Sequence, residues 1–279
     1  GEMAVGKMNI LRVFPRRTAM TPTDEDVRVG YPTLWDRPNL DRGIHISVAF
    51  TWDIPFAERL LKAWEPFGEV RIGGPAFNNP AGDFVCGRYL KMGAVITSRG
   101  CPNRCWFCKV WKANPTQTEL PIQKGHIVYD DNLLACSDTH ILKVFDMLKS
   151  QRKIEFVGGL EAARLKDWHI ESLLRLSIHQ MFFAYDTNDN LEPLIIAGVR
   201  LTRAGFNRNK LRCYTLISYP GDTFEKAETR LLQAWKAGFL PFAMLYCDDE
   251  RGTNLEWRRF ARLWMRPAAT KKVALRLLR

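Results

Sequence analysis

The sequence predicts an α/β protein built on parallel strands, and three observations carry that prediction. Between Ala94 and Tyr246, short apolar runs alternate six times with segments of helical period. Ahead of them, Ile44 to Pro75 spells a complete β-α-β unit. Apolar residues make up 46% and charged residues 25% of the 279, the balance of an ordinary globular chain with room for a core. Strands separated by crossover helices pair in parallel, with right-handed connections.

Taken in order, Met8–Val13 reads as a short strand ending at Pro15, and Thr21–Asp26 as a helix entry with Thr23 as cap. Tyr31–Gly43 is a loop. The β-α-β unit follows: strand Ile44–Phe50, amphipathic helix Pro55–Trp64, and strand Val70–Ile72, closed by Gly73-Gly74-Pro75. The Gly/Pro/Asn-rich stretch Asn78–Cys86 marks a domain boundary. Beyond it, the predicted strands are Ala94–Thr97, His126–Tyr129, Ile154–Val157, Met181–Tyr185, Leu211–Ile217 and Phe242–Tyr246. Helices are expected over Ile141–Gln151, Trp168–Leu176, Leu191–Ala204 and Phe224–Ala237. This divides the chain into residues 1–85, 86–250 and a helical extension, 251–279.

No run of eighteen apolar residues exists, so no transmembrane helix and no membrane partner are expected. The start of the chain lacks the apolar core of a signal peptide. Seven cysteines, an odd number, argue for a reducing cytoplasm over a disulfide framework.

Three of those cysteines, Cys101, Cys105 and Cys108, form a C-x3-C-x2-C run directly after the apolar stretch Ala94–Thr97. Cys105 and Cys108 fall on one side of a single helical turn, and Cys101 can fold back over them. Three thiolates are a soft ligand set, suited to an iron–sulfur cluster or to zinc. A cubane cluster held by three would keep one iron open to a further ligand.

With Phe107 just before its last cysteine, this run resembles the signature of the radical S-adenosylmethionine (SAM) enzymes. Three further stretches, Phe182–Thr187, Tyr219–Phe224 and Pro241–Tyr246, look like segments of compact bacterial and phage members of that family. The resemblance implies an open, partial (β/α)6 TIM-type barrel. It also implies a [4Fe–4S] cluster on Cys101, Cys105 and Cys108, whose open iron binds SAM. Reductive cleavage of SAM then gives a 5′-deoxyadenosyl radical that abstracts hydrogen from a substrate, with electrons from a flavodoxin- or ferredoxin-type donor.

The family's site residues carry over one by one. Phe107 stands where the backbone meets adenine. Asp130, Asp131 and Asn132 resemble the acidic loop that one subgroup uses to hold the SAM ammonium. Gly158, Gly159 and Glu161 are similar to the family's Gly-Gly-Glu with one residue inserted, and Glu161 could equally face substrate. Asp186 is a candidate for the ribose hydroxyls or for substrate. Ser218 opens a loop expected near the adenosine, at a place often held by glycine. Tyr246 ends the last strand beside these.

The unit before the barrel resembles the trailing half of a cobalamin-binding domain. The ligand motif of such domains, Asp-x-His-x-x-Gly, is missing: His140 follows Asp138, but Lys143 takes the glycine's place. Cobalamin is therefore not expected, and His45 reads as a core or edge histidine. Cys86, Cys136 and Cys213 form no second ligand set by spacing, and Cys247 reads as a small buried thiol.

The formal net charge is +11, and residues 251–279 hold nine basic residues against the single acid Glu256. Such a block suits a polyanion. Trp257, Phe260 and Trp264 recur at helical spacing, as a stripe packed on the fold with arginines on the other faces. The substrate class that charge and resemblance suggest is a nucleic acid base or nucleotide, modified or rearranged. A cobalamin-dependent methyltransferase and a non-catalytic, metal-stabilised nucleic-acid-binding protein are the alternative readings.

Overall fold

The computed structural model describes residues 10–39, 41–77, 84–186, 190–247 and 254–278. The chain is α/β, with parallel sheets and helices, and divides after Ala94 into two compact units.

The smaller unit carries strands β1 (Ile10–Phe14), β2 (Val27–Val29) and β3 (Gly43–Ser47), helix α1 (Ile54–Trp64) and strand β4 (Val70–Gly73). All its pairings are parallel, in the order β2-β1-β3-β4. Leu11, Val13, Ile44 and Ile46 bury one face of this sheet against Ala57, Leu60 and Trp64 of α1. Each of the larger side chains contributes about 1.5–3 kcal/mol by leaving water. The helix expected over Thr21–Asp26 does not form. Its acids are engaged elsewhere: Asp24 pairs with the buried Arg12 and Asp26 with Arg42, and the chain runs into β2 instead. His45 is half-buried, with Nδ1 against the Tyr89 hydroxyl at 2.6 Å.

The larger unit runs through β5 (Ala94–Val95), β6 (Ser98–Arg99), α2 (Val110–Ala113), β7 (Thr118–Glu119), β8 (Ile127–Val128) and α3 (Asp138–Lys149). It continues with β9 (Ile154–Leu160), α4 (Asp167–Leu174), β10 (Ile178–Tyr185), α5 (Leu191–Arg203), β11 (Leu211–Ile217), α6 (Phe224–Lys236) and β12 (Leu240–Leu245). Helices α7 (Leu255–Met265) and α8 (Pro267–Leu277) close it. Six strands form one sheet in the order β12-β11-β10-β9-β8-β5, and the pairings from β8 to β12 are parallel. The first predicted strand is shorter than expected. Beyond its predicted end at Thr97, Ser98 and Arg99 form β6, paired antiparallel with β7, so the segment between them is a loop pinched at its base.

Alternate residues of the strands divide the sheet's two faces. Phe156 meets Phe145 of α3, and the Tyr185 hydroxyl donates to Gln233 of α6 at 2.7 Å. Ile217 and Ala243 pack with Ala227 and Leu231 of α6 and with Ala261 and Trp264 of α7. The intervening side chains contact one another. Phe182 stacks on Tyr214 at 4.3 Å, both rings meet Phe242, and Gln180 donates to Glu155 at 3.1 Å.

The carboxy-terminal helices follow the expected division. Trp264 is fully buried, while Trp257 and Phe260 pack against the same core and against Phe224. Arg258, Arg259, Arg262, Arg266, Lys272 and Arg276 are exposed. Arg251 and Arg279 lie outside the described residues. No helix among the described residues is long and apolar enough to cross a membrane.

Candidate cysteine-centred site

The cysteine loop leaves β6 through Gly100, whose φ is +89°. A Cβ there would lie 2.2 Å from the Thr116 carbonyl oxygen, so only glycine lets the two arms of the loop approach. The Gly100 N–H donates to Asp131 at 2.8 Å, and Arg99 pairs with the same carboxylate.

Cys105 and Cys108 sit in a tight turn rather than on a helix. The Cys108 N–H donates to the Cys105 carbonyl at 3.1 Å, and the four-residue α2 starts only at Val110. Trp111 Nε1 donates to the same carbonyl at 2.8 Å, fixing the turn to the helix. All three thiols are half-buried. Burial pushes the Cys105 thiol up, and Cys108, Asp186 and Cys101 raise it further. Burial likewise raises the Cys108 thiol, helped by Cys101 and Asp131. The three sulfurs therefore share one electrostatic neighbourhood. They are not drawn into a ligand cage: among the described residues no three His, Cys, Asp or Glu side chains are grouped to hold a metal ion.

The loop after β8 divides its duties in a way its composition conceals. Asp130 faces inward, almost wholly buried, and accepts from Thr97 N–H at 2.6 Å, Thr97 Oγ1 at 2.5 Å and Ser98 Oγ at 2.9 Å. Both its oxygens are engaged there, so it orders the strand rather than facing a ligand; burial raises its pKa. Asp131 holds the cysteine loop, as described above. Asn132 alone turns toward the cysteines, with Nδ2 3.5 Å from Cys101 Sγ and 2.7 Å from Glu161 Oε2. That carboxylate needs a donor, which fixes the amide's orientation and leaves Asn132 Oδ1 a buried acceptor with no partner.

Glu161 also receives Arg164 Nε at 2.7 Å. It belongs with Asn132 and Cys101, so the Gly-Gly-Leu-Glu stretch does reach the cysteine loop. Of its two glycines, Gly158 admits neighbouring backbone rather than a ligand. Both lie inside β9, where Met181 pairs with Phe156 but Phe183 with Leu160, so residues 157–159 bulge against Phe182 alone. The Cβ position of Gly158 is occupied by the Asp130 backbone.

Asp186 accepts from the Leu216 N–H at 3.1 Å; burial raises its pKa to about 6, against the lowering effects of that bond and of Arg230. Its charge reaches Cys105, which joins it to the cysteine neighbourhood. Residues 187–189 lie outside the described residues. Ser218 holds φ +67°, the left-handed conformation that explains why glycine suits this place. Its N–H donates to Asp222, which also takes Arg230 Nη2 at 2.7 Å. Thr223 caps α6. Ser218→Gly is expected to stabilise the fold by about 0.5 kcal/mol, relief of the left-handed strain being partly offset by a more flexible unfolded chain. The midpoint of urea denaturation measures it.

Tyr246 lies past the end of β12, with its N–H on the Ile217 carbonyl. Its ring is 5.7 Å from that of Trp106, a residue the sequence reading passed over. Trp106 is 53% exposed although Phe107 and Tyr219 also hold it edge-on, at 5.4 and 5.6 Å. Two successive aromatics between paired cysteines were the available signal. Cys247 is half-buried, while Asp248 and Asp249 lie outside the described residues.

The structure thus gathers Cys101, Cys105, Cys108, Asn132, Glu161 and Asp186 in one neighbourhood, bordered by Trp106, Phe107, Tyr219 and Tyr246. Asp130, Gly158 and Gly159 belong to the scaffold beneath it. No protein-family model matches this chain, and neither characterised proteins nor solved structures give a match.

Proposed function

We propose that this chain is a radical SAM enzyme acting on a nucleic acid base or nucleotide, with a [4Fe–4S] cluster on Cys101, Cys105 and Cys108. The observation that carries the reading is the contact of Cys101, one of three half-buried thiols on one loop, with Asn132, whose Oδ1 is a buried acceptor without a partner. The thiols suit a soft metal cluster, and the mutual repulsion of their thiolates is what cationic iron would relieve. Asn132 Oδ1 and the Glu161 carboxylate suit the ammonium of SAM, a donor without acceptors of its own. When bound, cluster and SAM supply a 5′-deoxyadenosyl radical for hydrogen abstraction.

The parallel sheet is in keeping with the family's partial six-stranded barrel, in which working residues sit past the strand ends. Asn132, Glu161, Asp186, Ser218 and Tyr246 all follow strand ends here. Trp106 offers an aromatic edge to a planar substrate, and the exposed arginines of α7 suit a phosphate-bearing one. The reading implies a flavodoxin- or ferredoxin-type electron donor and a reducing, cytoplasmic setting.

Anaerobic reconstitution with iron and sulfide tests it. The protein is expected to bind iron with charge-transfer absorption and, given SAM and dithionite, to release 5′-deoxyadenosine. Cys101→Ala, Cys105→Ala and Cys108→Ala should each lose iron and product together. Retention of zinc in place of iron, or a reduced cluster that yields no 5′-deoxyadenosine, would sink the enzyme reading.

A further inference from the structure

Three arginines are buried among the described residues: Arg12, Arg212 and Arg230. Two are paired with a carboxylate, although the Nε of each is buried without a hydrogen bond. Arg12 donates to the Gly87 and Arg88 carbonyls and pairs with Asp24. Arg230 donates to the Leu216 carbonyl at 3.0 Å and pairs with Asp222. Arg212 differs. At 6% exposure, none of its three nitrogens has a hydrogen-bond or ion-pair partner among the described residues, and its Nε is wholly enclosed. Its guanidinium lies 5.1 Å from the ring centre of Phe182 and 5.7 Å from that of Phe242. The Tyr214 hydroxyl is committed to the Val157 carbonyl, and Gln180 and Glu155 bond each other.

A guanidinium stays charged in proteins even where burial presses its pKa down, as it does here. Attraction to two aromatic faces offsets only part of the cost of an unpaired buried cation. The fold supplies counter-groups to its other buried arginines, so the gap at Arg212 marks a place for one brought from outside. We propose that Arg212 is the anchor of a second binding site, one that takes an oxyanion, the phosphate or carboxylate of a small ligand, on the aromatic face of the sheet. The two rings flank the guanidinium, and the fork's geometry matches two oxygens of such a group.

The site is separate from the cysteine neighbourhood. Arg212 is the second residue of β11, paired with Phe182 and Leu240, whereas Ser218 lies beyond the other end of that strand. Six residues of extended chain separate the two by roughly 20 Å. The proposal does not depend on the cluster or on SAM.

Thermal unfolding of the full chain, without metal or SAM, tests it in inorganic phosphate, in acetate and in chloride at matched ionic strength. Wild type is expected to gain about 5–10 °C in the preferred oxyanion at a hundredfold excess over Kd. Arg212→Met should melt no lower than wild type in chloride and lose the gain. The ranking of phosphate and acetate identifies the group. If Arg212→Met fails to fold, Arg212→Lys decides, since it keeps the charge and loses the fork: a clearly reduced gain supports the site, and an undiminished one overturns it. A gain equal in wild type and Arg212→Met overturns it, as does no gain in wild type with either anion. So does a gain abolished by Arg258→Gln/Arg259→Gln/Arg262→Gln on α7, which would mean diffuse binding to the basic helix.

Discussion

Gly158→Ala is expected to destabilise the protein by about 3 kcal/mol or more, the upper end for overpacking. The new methyl would lie 1.7 Å from the Asp130 carbonyl oxygen and 2.8 Å from its carbonyl carbon. Both are backbone atoms, so no rotamer change relieves the overlap; β9 or the loop after β8 must move. That loop holds Asp131 on the cysteine loop and Asn132 beside Cys101, so the damage should reach the candidate site as well. Its neighbour is the control. A methyl at Gly159 meets nothing nearer than Tyr214 Cδ2 at 4.0 Å, and only its φ of +91° is unfavourable. Gly159→Ala should therefore cost about 1 kcal/mol. Urea denaturation of both variants gives the comparison, and a Gly159→Ala cost equal to or above that of Gly158→Ala would refute this account.

The second large effect is a loss of stability in acid centred on His169. This side chain is fully buried on α4, with its ring 4.0 Å from that of Trp168 and edge-on to Phe145. Its Nδ1 accepts from the Lys166 N–H at 3.0 Å, and Nε2 has no partner. Burial lowers its pKa to about 4, Lys166 and Arg200 adding to the shift and Asp138 opposing it. The unfolded chain, with a pKa near 6.5, binds the proton first, so the neutral ring's contribution is complete above that value and lost as pH falls toward 4. Between pH 7.5 and 4.5 the loss is about 2.5 kcal/mol. His169→Gln keeps an acceptor for Lys166 and cannot take up a proton. Its stability should fall less than wild type's over the same interval, by roughly that amount, in urea titrations at the two pH values. Parallel declines would show that His169 is not responsible.

What could be read from residues alone follows the range of the forces involved. Strand β11 emerges with the bounds its apolar run sets, Leu211–Ile217, because burial on both faces leaves a continuous signal. Helices α1, α5 and α6 likewise declare themselves by period and stop. Thr21–Asp26 misleads because its acids are claimed by Arg12 and Arg42, twelve and sixteen positions from their partners. Strands β2, β6 and β7 are too short to carry a pattern of their own. At the site, ligand type and spacing identify the thiols. Composition cannot say which acid of Asp130 and Asp131 faces inward, since that depends on hydroxyls 33 and 32 positions away, those of Thr97 and Ser98. The glycine pair resembles the start of a Gly-Gly-Glu motif, and only the strand register shows the bulge it forms.

The two-residue ladder between β6 and β7 has a consequence for how such a chain can vary. It fixes entry to and exit from the cysteine segment at Ser98↔Glu119 and Arg99↔Thr118. Everything between those pairs is an appendage, hung on the sheet but contributing no strand to it. Insertions or deletions on its distal side, after Ala113, need not propagate into the pairing of β8 with β9. The part that carries the thiols can therefore diverge in length and chemistry while the framework beneath it stays the same.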